Sequence, residues 1–404
     1  MKRIRITLVS EYFWPEEAGS GRFLGEMMTE LGSELAGAEI QVLTSDRVYR
    51  TSDTATPPRK ETRNRMLVRR LPSLRRGNDG FLRRLLADVV FSIWAAVRTA
   101  LDAPDCVIAT TNPPLTPIAL RLVARFRGRP FIYIIHDLFP DVPVALSLWS
   151  RDNPVVRLLA SAQRSTLRHS AAVIVLGQCM KAHVAKTYGV DPEQISEIPH
   201  WATIPTTTRE AITEAASPND PFRVLYAGNL GRFQDFETLL DAAERLRRER
   251  DILFEIVGHG ARCAQIQGEV ACRSLDNVRF RSFVPEDEFE DLLLRTNLGL
   301  VTLEPGLEAL GVPSKTYNLL AAGVPIAAVM GPKSEVALLI EEHGCGFRVD
   351  QGDSESLAHA IRNLARGEEE RNEMKRAALA AARAQPGAHD GALRLASLIR
   401  RAVS

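Results

Sequence analysis

Short apolar runs alternate along this chain with longer stretches in which apolar residues recur every three or four positions. Residues 106–109, 131–135 and 172–176 are apolar on consecutive positions, and 4–10 and 40–44 are short, mostly apolar runs, which predicts buried strands. Residues 21–35 place Phe23, Leu24, Met27, Met28, Leu31 and Leu35 largely on one helical face, as an amphipathic helix requires. Between residues 203 and 221 the pattern stops. Thr, Ser, Pro and Ala dominate there and no period survives, which predicts a linker. A second series follows, with strands predicted at 223–227, 253–257, 278–280, 298–303 and 326–329. Helices are predicted at 236–248, 286–295, 314–322, 333–342 and 354–365. Such alternation builds parallel sheets covered by helices on both faces. The expected fold is therefore α/β: two doubly wound Rossmann-like domains, residues 1–202 and 222–385, joined by the 203–221 linker and facing a cleft. Ligands bind beyond the C-terminal ends of strands in such sheets, so two sheets facing each other offer a site for two substrates.

Length and composition agree with this picture. The 404 residues are 45% hydrophobic and 25% charged, which fits a globular protein of two domains and excludes collagen-like, low-complexity and multi-span membrane chains. The net charge of +1 argues against a generally basic nucleic-acid binder, yet it conceals a polarity. Residues 1–200 carry 27 Lys+Arg against 20 Asp+Glu, a net of +7, and residues 201–404 carry 24 against 30, a net of −6. Residues 59–84 alone hold ten Arg or Lys against Glu61 and Asp79. Such asymmetry points to an anionic partner for the first half.

The basic stretch leads into Phe81, Leu82, Leu85, Leu86 and Trp94, so residues 59–94 suit an anionic membrane surface. A solvated basic loop leading into a core helix is the plain alternative. Arg83, Arg84, Asp88 and Arg98 interrupt residues 81–101, leaving too short an apolar run to span a bilayer. The five cysteines form no C-x-x-C pair. This argues against a disulfide framework or a zinc site and fits a reducing, cytoplasmic compartment. The N-terminal MKRIRITLVS has too short an apolar run for a signal peptide and reads as a first strand.

No G-x-G-x-x-G follows the first predicted strand, and P-loop, G-x-S-x-G and H-E-x-x-H motifs are missing, which weakens dehydrogenase, NTPase, esterase and zinc-protease readings. Two loops at strand ends remain. Glu17-Ala18-Gly19-Ser20-Gly21 precedes the first helix; small residues there let a ligand approach the backbone and the first N–H groups of the helix. Gly311-Val312-Pro313-Ser314-Lys315-Thr316-Tyr317-Asn318 follows a strand and opens a helix. Ser314 suits an N-cap. Lys315 stands in the first turn, where the helix dipole disfavours a cation unless an anion joins it, so it hints at a bound phosphate. His136 ends the 131–135 run, at the strand end where chemistry gathers in parallel sheets.

With these loops in their order, the chain resembles the retaining family-4 glycosyltransferases of GT-B architecture, and among them the bacterial subgroup that builds capsule, O-antigen and exopolysaccharide. The resemblance covers nearly the whole chain. It rests on Ser10-Glu11-Tyr12-Phe13-Trp14-Pro15-Glu16, the Gly19–Gly21 loop, His136-Asp137-Leu138-Phe139-Pro140 and Ile198-Pro199-His200-Trp201. In the second half it rests on Tyr226-Ala227-Gly228-Asn229-Leu230-Gly231-Arg232, Val257-Gly258-His259-Gly260, and Glu308 followed by Val312–Asn318 and Leu320-Ala321-Ala322-Gly323-Val324-Pro325. It implies a nucleotide-diphosphate sugar, UDP-linked and plausibly an N-acetylated hexose, held by the second domain. Arg232 and Lys315 would neutralise the diphosphate, aided by the helix that starts after Pro313 and Ser314. Asn318 would lie near the ribose and Glu308 would contact sugar hydroxyls. Gly19, Ser20 and Gly21 would approach the diphosphate or sugar from the first domain, and His136 would face the donor sugar.

Two positions depart from the family pattern. The second carboxylate of its E-x7-E pair is here Asn318, with Leu310 eight residues before it and Glu308 two further back. The usual Arg and Lys after the first strand of the second domain are Asn229 and Gln234, with Arg232 as the replacement cation. No D-x-D motif accompanies the site, so the expected reaction needs no metal and no cofactor. The expected acceptor is a glycan or a polyprenyl-diphosphate-linked sugar, and the expected location is cytoplasmic, peripheral on the inner face of the cytoplasmic membrane. Residues 386–404 are expected as a helix packing back on the first domain. The competing readings are a glycosyltransferase for a soluble small molecule, a sugar-nucleotide epimerase, and a non-enzymatic anion-binding module. Aromatic residues are poorly interleaved with the basic ones, which speaks against a nucleic-acid partner.

Overall fold

The computed structural model describes residues 3–15, 19–47, 57–73, 81–204, 206, 220–281 and 284–404. The chain divides into two compact units, Met1–His200 with Pro386–Ser404, and Trp201–Gln385.

The first unit is built on strands β1 (Arg5–Val9), β2 (Glu39–Ser45), β3 (Lys60–Arg63), β4 (Met66–Leu71), β5 (Cys106–Thr110), β6 (Phe131–Ile134), β7 (Ala172–Val175) and β8 (Ile195–Glu197). They lie in the order β3-β4-β2-β1-β5-β6-β7-β8. All are parallel except β3, which pairs antiparallel with β4. The helices are α1 (Gly19–Glu34), α2 (Phe81–Asp102), α3 (Thr116–Phe126), α4 (Asp141–Ala145), α5 (Pro154–Arg168) and α6 (Gln178–Tyr188). Strands β5, β6 and β7 are buried at every position, which is why they stand out as unbroken apolar runs. The C-terminal helix (Ala388–Val403) lies on α1. Arg400 donates to the Glu34 carbonyl at 3.0 Å, Arg394 donates to the Glu197 carbonyl at 2.9 Å, and Leu395, Leu398 and Ile399 are buried.

Part of the basic stretch is regular structure. Residues 60–71 form the β3–β4 hairpin at the sheet edge, and β4 alternates buried with half-buried positions. Arg70 takes one of the inward positions. Its guanidinium pairs with Glu61 and donates to the Pro58 carbonyl at 2.9 Å and the Trp14 carbonyl at 2.7 Å. Arg63 lies 3.6 Å over the Trp14 ring. At least these two of the ten cations hold the edge together. An arginine on the inward face breaks the hydrophobic alternation that would have marked the strand. Arg75 and Arg76, with Glu17 and Ala18 of the first loop and most of the 203–221 linker, lie outside the described residues.

The second unit has strands β9 (Phe222–Ala227), β10 (Ile252–Val257), β11 (Val278–Arg281), β12 (Leu298–Thr302), β13 (Ile326–Val329) and β14 (Gly346–Val349). All are parallel, in the order β11-β10-β9-β12-β13-β14. Its helices are α7 (Phe236–Arg245), α8 (Cys263–Cys272), α9 (Glu286–Leu294), α10 (Lys315–Ala321), α11 (Glu335–His343), α12 (Ser354–Arg366) and α13 (Glu368–Ala384). Side chains on the two sheet faces enter separate cores, Tyr226, Phe236 and Phe254 in one and Leu225, Val257 and Leu320 in the other. The strand order reverses between β9 and β12, and in the first unit between β1 and β5. At such a point the connections leave in opposite directions and open a crevice at the strand C-termini. Residues 201–204 already belong to the second unit: Ile204 is buried in its core and the Thr203 N–H donates to the Asn318 side chain at 2.7 Å. The change of composition at 203 marks this boundary slightly late, because Trp201 to Ile204 are anchored by contacts distant in sequence.

Replacing Arg70 by Met removes the partner of Glu61 and leaves two carbonyls unsatisfied. Arg70→Met is expected to lower unfolding stability by about 3 kcal/mol, measured by urea denaturation. Arg84→Met, at an exposed position, is expected to leave it within about 0.5 kcal/mol.

Candidate active site

In the second unit the crevice between β9 and β12 holds an uncompensated cation. Lys315 opens α10, and its Nζ lies 3.5 Å from the centre of the Tyr226 ring on β9. That ammonium is buried and has no hydrogen-bond partner among the described residues. Burial pulls its pKa from 10.5 down to about 7. Tyr226 is fixed beneath it, donating to the Asn229 carbonyl at 2.7 Å and meeting Phe236 edge-on at 4.8 Å. The lysine reaches this place because β9 is followed by Gly228, where an added Cβ would stand 3.3 Å from the lysine Cε and Nζ. Gly258, at the end of β10, has φ +146° and lies so close to the Gly228 carbonyl that any side chain would collide with it. The loops after β9 and β10 are thus held backbone to backbone, with Leu230 N–H donating to the His259 carbonyl at 3.0 Å.

Ser314 occupies the N-cap position without making a cap hydrogen bond, unlike Asp235, Ser334 and Asp353 at the starts of α7, α11 and α12. The reason is geometric: its backbone is already in the helical region, which turns the hydroxyl away from the N–H groups it would satisfy. Pro313 precedes it, its carbonyl accepting from Thr316 N–H at 3.2 Å. With only seven residues, α10 is about two turns long, so the ammonium outweighs its dipole as a source of positive potential.

Glu308 is half-buried and held from two sides. Gln351 donates to its Oε1 at 3.1 Å and to the Leu303 carbonyl at 3.2 Å. Gly331, just after β13, leaves it room, since an added Cβ would stand 2.7 Å from Oε1. Asn318 is committed elsewhere. Its Oδ1 accepts from the Thr203 N–H and its Nδ2 donates to Thr203 Oγ1 at 3.1 Å, so its side chain anchors residue 203 rather than standing open to a ribose. Arg232 is exposed, and no contact draws it towards Lys315. The ordered arginine beside these loops is Arg262, which donates to the Gln234 carbonyl at 3.2 Å and pairs with Glu304 at 3.4 Å. Asn229 is exposed.

In the first unit, the start of α1, the end of β6 and the chain entering His200 meet at one place. His136 follows β6, is 6% exposed, and neither ring nitrogen has a hydrogen-bond partner among the described residues. Phe23 of α1 meets it edge-on at 5.6 Å, and His200 stacks on it at 5.9 Å. Burial pulls the His136 pKa down to about 4. Burial, reinforced by His136, pulls that of His200 to about 3. Both imidazoles are therefore neutral at pH 7. Asp137 next door is pushed up to about 6 by burial. Gly19, with φ +57°, stands exposed at the start of α1 with nothing within 4 Å of where a Cβ would be. Ser20 is half-buried and Gly21 buried.

Gln351 and Arg262 carry this geometry without having been named from the sequence, and Tyr226, Phe23 and His200 were named there only as core or motif residues, without a site role. Tyr226 and Phe23 read as core residues, and nothing local to Gln351 announces its reach to residue 308. Among the described residues no group of three or more His, Cys, Asp or Glu side chains is placed to hold a metal ion.

Two family models match the chain in succession, a glycosyl transferase 4-like domain over residues 18–201 and glycosyl transferases group 1 over residues 208–380. The probable glycosyltransferase WbjE of Pseudomonas aeruginosa is 27% identical over 364 residues, 88% of each chain. The putative colanic acid biosynthesis glycosyl transferase WcaI of Escherichia coli K12 is 26% identical over 376 residues, 89% of this chain and 91% of its own. Among solved structures, sucrose-phosphate synthase from Thermosynechococcus elongatus superposes with a TM-score of 0.76 at 17% identity over 99% of both chains. WaaG, a glycosyltransferase of lipopolysaccharide biosynthesis, gives 0.68 at 16% identity over 98% of this chain and 99% of its own. These likenesses define a glycosyltransferase with the two Rossmann-like domains of the GT-B fold. Within that class the chain belongs to the family-4 glycosyltransferases.

The Lys315 environment has a measurable signature. An unfolded lysine keeps its proton up to its ordinary pKa near 10.5, whereas the folded one loses it near 7. Between these values the unfolded chain binds more protons, so folding stability rises with pH there. The stability of wild type relative to Lys315→Met is expected to increase by roughly 1.4 kcal/mol per pH unit from pH 7.5 to 9.5. Urea unfolding at three pH values checks this, and a difference that does not vary with pH contradicts it.

Proposed function

We propose that the enzyme transfers a sugar, with retention of anomeric configuration, from a nucleoside-diphosphate donor to a glycan or polyprenyl-diphosphate-linked acceptor in surface polysaccharide synthesis. The observation that carries this reading is the buried Lys315 ammonium without an anion at the crevice of the second unit. A diphosphate supplies the missing charge. Its arrival raises the lysine pKa again, so the cation is present when it is needed. The donor in this reading is a UDP-sugar. Solved relatives of this fold include HepE in complex with UDP and TarM with UDP and α-GlcNAc-glycerol. The surface-polysaccharide setting is supported by the names of WcaI and WaaG.

In the transfer, the bond between the anomeric carbon and the diphosphate oxygen breaks and the electron pair leaves with the phosphate. The acceptor hydroxyl attacks from the same face, and its proton passes to the departing phosphate oxygen. Lys315 stabilises the charge that grows on that oxygen, as preorganised electrostatics do elsewhere. Glu308, oriented by Gln351, accepts hydrogen bonds from sugar hydroxyls. His136 contributes as a neutral hydrogen-bonding group rather than as an acid. With the charge carried by a side chain, the reaction proceeds without a metal ion, and the enzyme works on the inner face of the cytoplasmic membrane.

Lys315→Ala is expected to lower kcat roughly a hundred- to a thousandfold, and Lys315→Arg to recover part of it. Turnover of a UDP-sugar panel is expected to be unchanged by EDTA. A Lys315→Ala enzyme with near wild-type turnover overturns the assignment.

A further inference from the structure

All the large hydrophobic side chains that the described residues leave exposed lie in the first unit, and nine of the eleven sit on α2, α3 and α5. These helices adjoin one another, α3 packing against both α2 and α5. The Ser92 and Thr116 hydroxyls, 2.9 Å apart, set the C-terminal half of α2 beside α3. Ile93, Val97 and Leu101 are 58%, 54% and 69% exposed and fall four residues apart on one stripe of α2. Leu122 and Phe126, again four apart, are 52% and 85% exposed on α3, and Leu158 is 70% exposed on α5. A contiguous apolar patch of this kind on a globular unit marks an interaction surface.

The charges around the patch are nearly all of one sign. The three helices carry eight Arg and two Asp. One of the acids, Asp102, is paired with Arg98 at 2.9 Å. Helices α3 and α5 contain no acid at all. Where α3 ends, Arg121, Arg125, Arg129 and Arg168 line a cleft of about 400 Å³ beside the patch. Arg121 and Arg168 are aimed by bonds to the His169 and Tyr188 carbonyls, both at 2.8 Å. Arginines gathered at a cleft beside projecting Leu and Phe side chains match a surface that is negative outside and apolar beneath.

The geometry points to the α2–α3–α5 face as a docking surface for an anionic lipid bilayer, with Val97, Leu101, Leu122 and Phe126 entering the acyl boundary and the arginine cleft receiving lipid phosphates. No helix among the described residues is long and apolar enough to cross a membrane, so the attachment is peripheral. It moves the contact away from the 59–71 stretch, whose Arg63 and Arg70 are used within the fold. The inference rests on the lipid-linked acceptor reading for its purpose but not for its physics.

The full chain is tested by flotation with vesicles of about one-third phosphatidylglycerol in phosphatidylcholine. Wild type is expected to float with these vesicles at low salt, to be released by high salt, and to ignore pure phosphatidylcholine. Val97→Glu/Leu122→Glu/Phe126→Glu and, separately, Arg121→Glu/Arg125→Glu are each expected to cut partitioning about tenfold or more. Leu393→Glu, an exposed position outside the patch, is expected to change nothing. Wild type remaining in the aqueous phase overturns the proposal, as does equal flotation of the patch variants. A stable wild-type dimer that the triple substitution turns into a monomer also overturns it, because a second copy then covers the face. Thermal stabilisation by UDP reads the second unit and is expected to be the same in all variants. Its absence from wild type counts against the donor reading and leaves the docking surface standing.

Discussion

A lysine ammonium shut away from water and paired only with an aromatic face is the constraint around which the second unit is organised. Lys315 has the Tyr226 ring at 3.5 Å and no hydrogen-bond partner. A desolvated cation–π contact is worth about 2 kcal/mol, less than the cost of removing an ammonium from water. The surrounding fold holds the side chain there regardless. Parallel pairing of β9 with both β10 and β12 brings Gly228, Gly258 and the approach to α10 to one edge. The absence of side chains at the two glycines lets the backbones close on each other. What results is a lysine held at the strand ends with its Nζ against an aromatic ring, which is the arrangement the proposed diphosphate donor would complete.

How much of this could be read from the sequence depended on whether the cause was local. The central strands were legible because burial on both faces leaves an unbroken apolar run. Lys315 drew notice because a cation in the first turn of a helix runs against the local preference, and the structure places its ammonium in a buried position over Tyr226. The contact of Asn318 was hidden for the opposite reason: its side chain bonds to Thr203, 115 positions away, and no spacing rule reports that. Arg232 was chosen as the replacement cation by its place in a motif, yet its side chain points to solvent, and Arg262 is the arginine tied into the loops. Gln351 is the clearest omission. It orients Glu308 across 43 residues, through the register of β13 and β14.

The same distinction explains the basic half. A count of ten cations in 26 residues suggested one electrostatic surface. The fold divides those charges by purpose: Arg70 lies inside, satisfied by Glu61 and two carbonyls, and Arg63 covers Trp14. The apolar residues of α2 divide in the same way. Phe91 is buried and meets Trp94 at 5.8 Å, while Ile93, Val97 and Leu101 face outward. A count of charge along the chain does not distinguish an arginine used within the fold from one left at the surface; the packing of β4 against Trp14 and Glu61 does.

The contrast between the units bears on why the outward stripe exists. The second unit has a parallel sheet of similar construction, with helices on both faces, yet leaves none of its described large hydrophobics exposed. The fold can thus be completed without such a surface. Its presence on α2, α3 and α5 is a property of this unit's sequence and not a by-product of the architecture. Solubility alone favours Lys and Glu on exposed helix faces, but α3 and α5 between them carry five Arg and no Glu, Asp or Lys. Arginine beside exposed Leu and Phe lowers the desolvation cost of meeting phosphate, because its guanidinium is more weakly hydrated than an ammonium and presents a fork to two oxygens. The composition of the face is therefore better matched to lipid phosphate than to water.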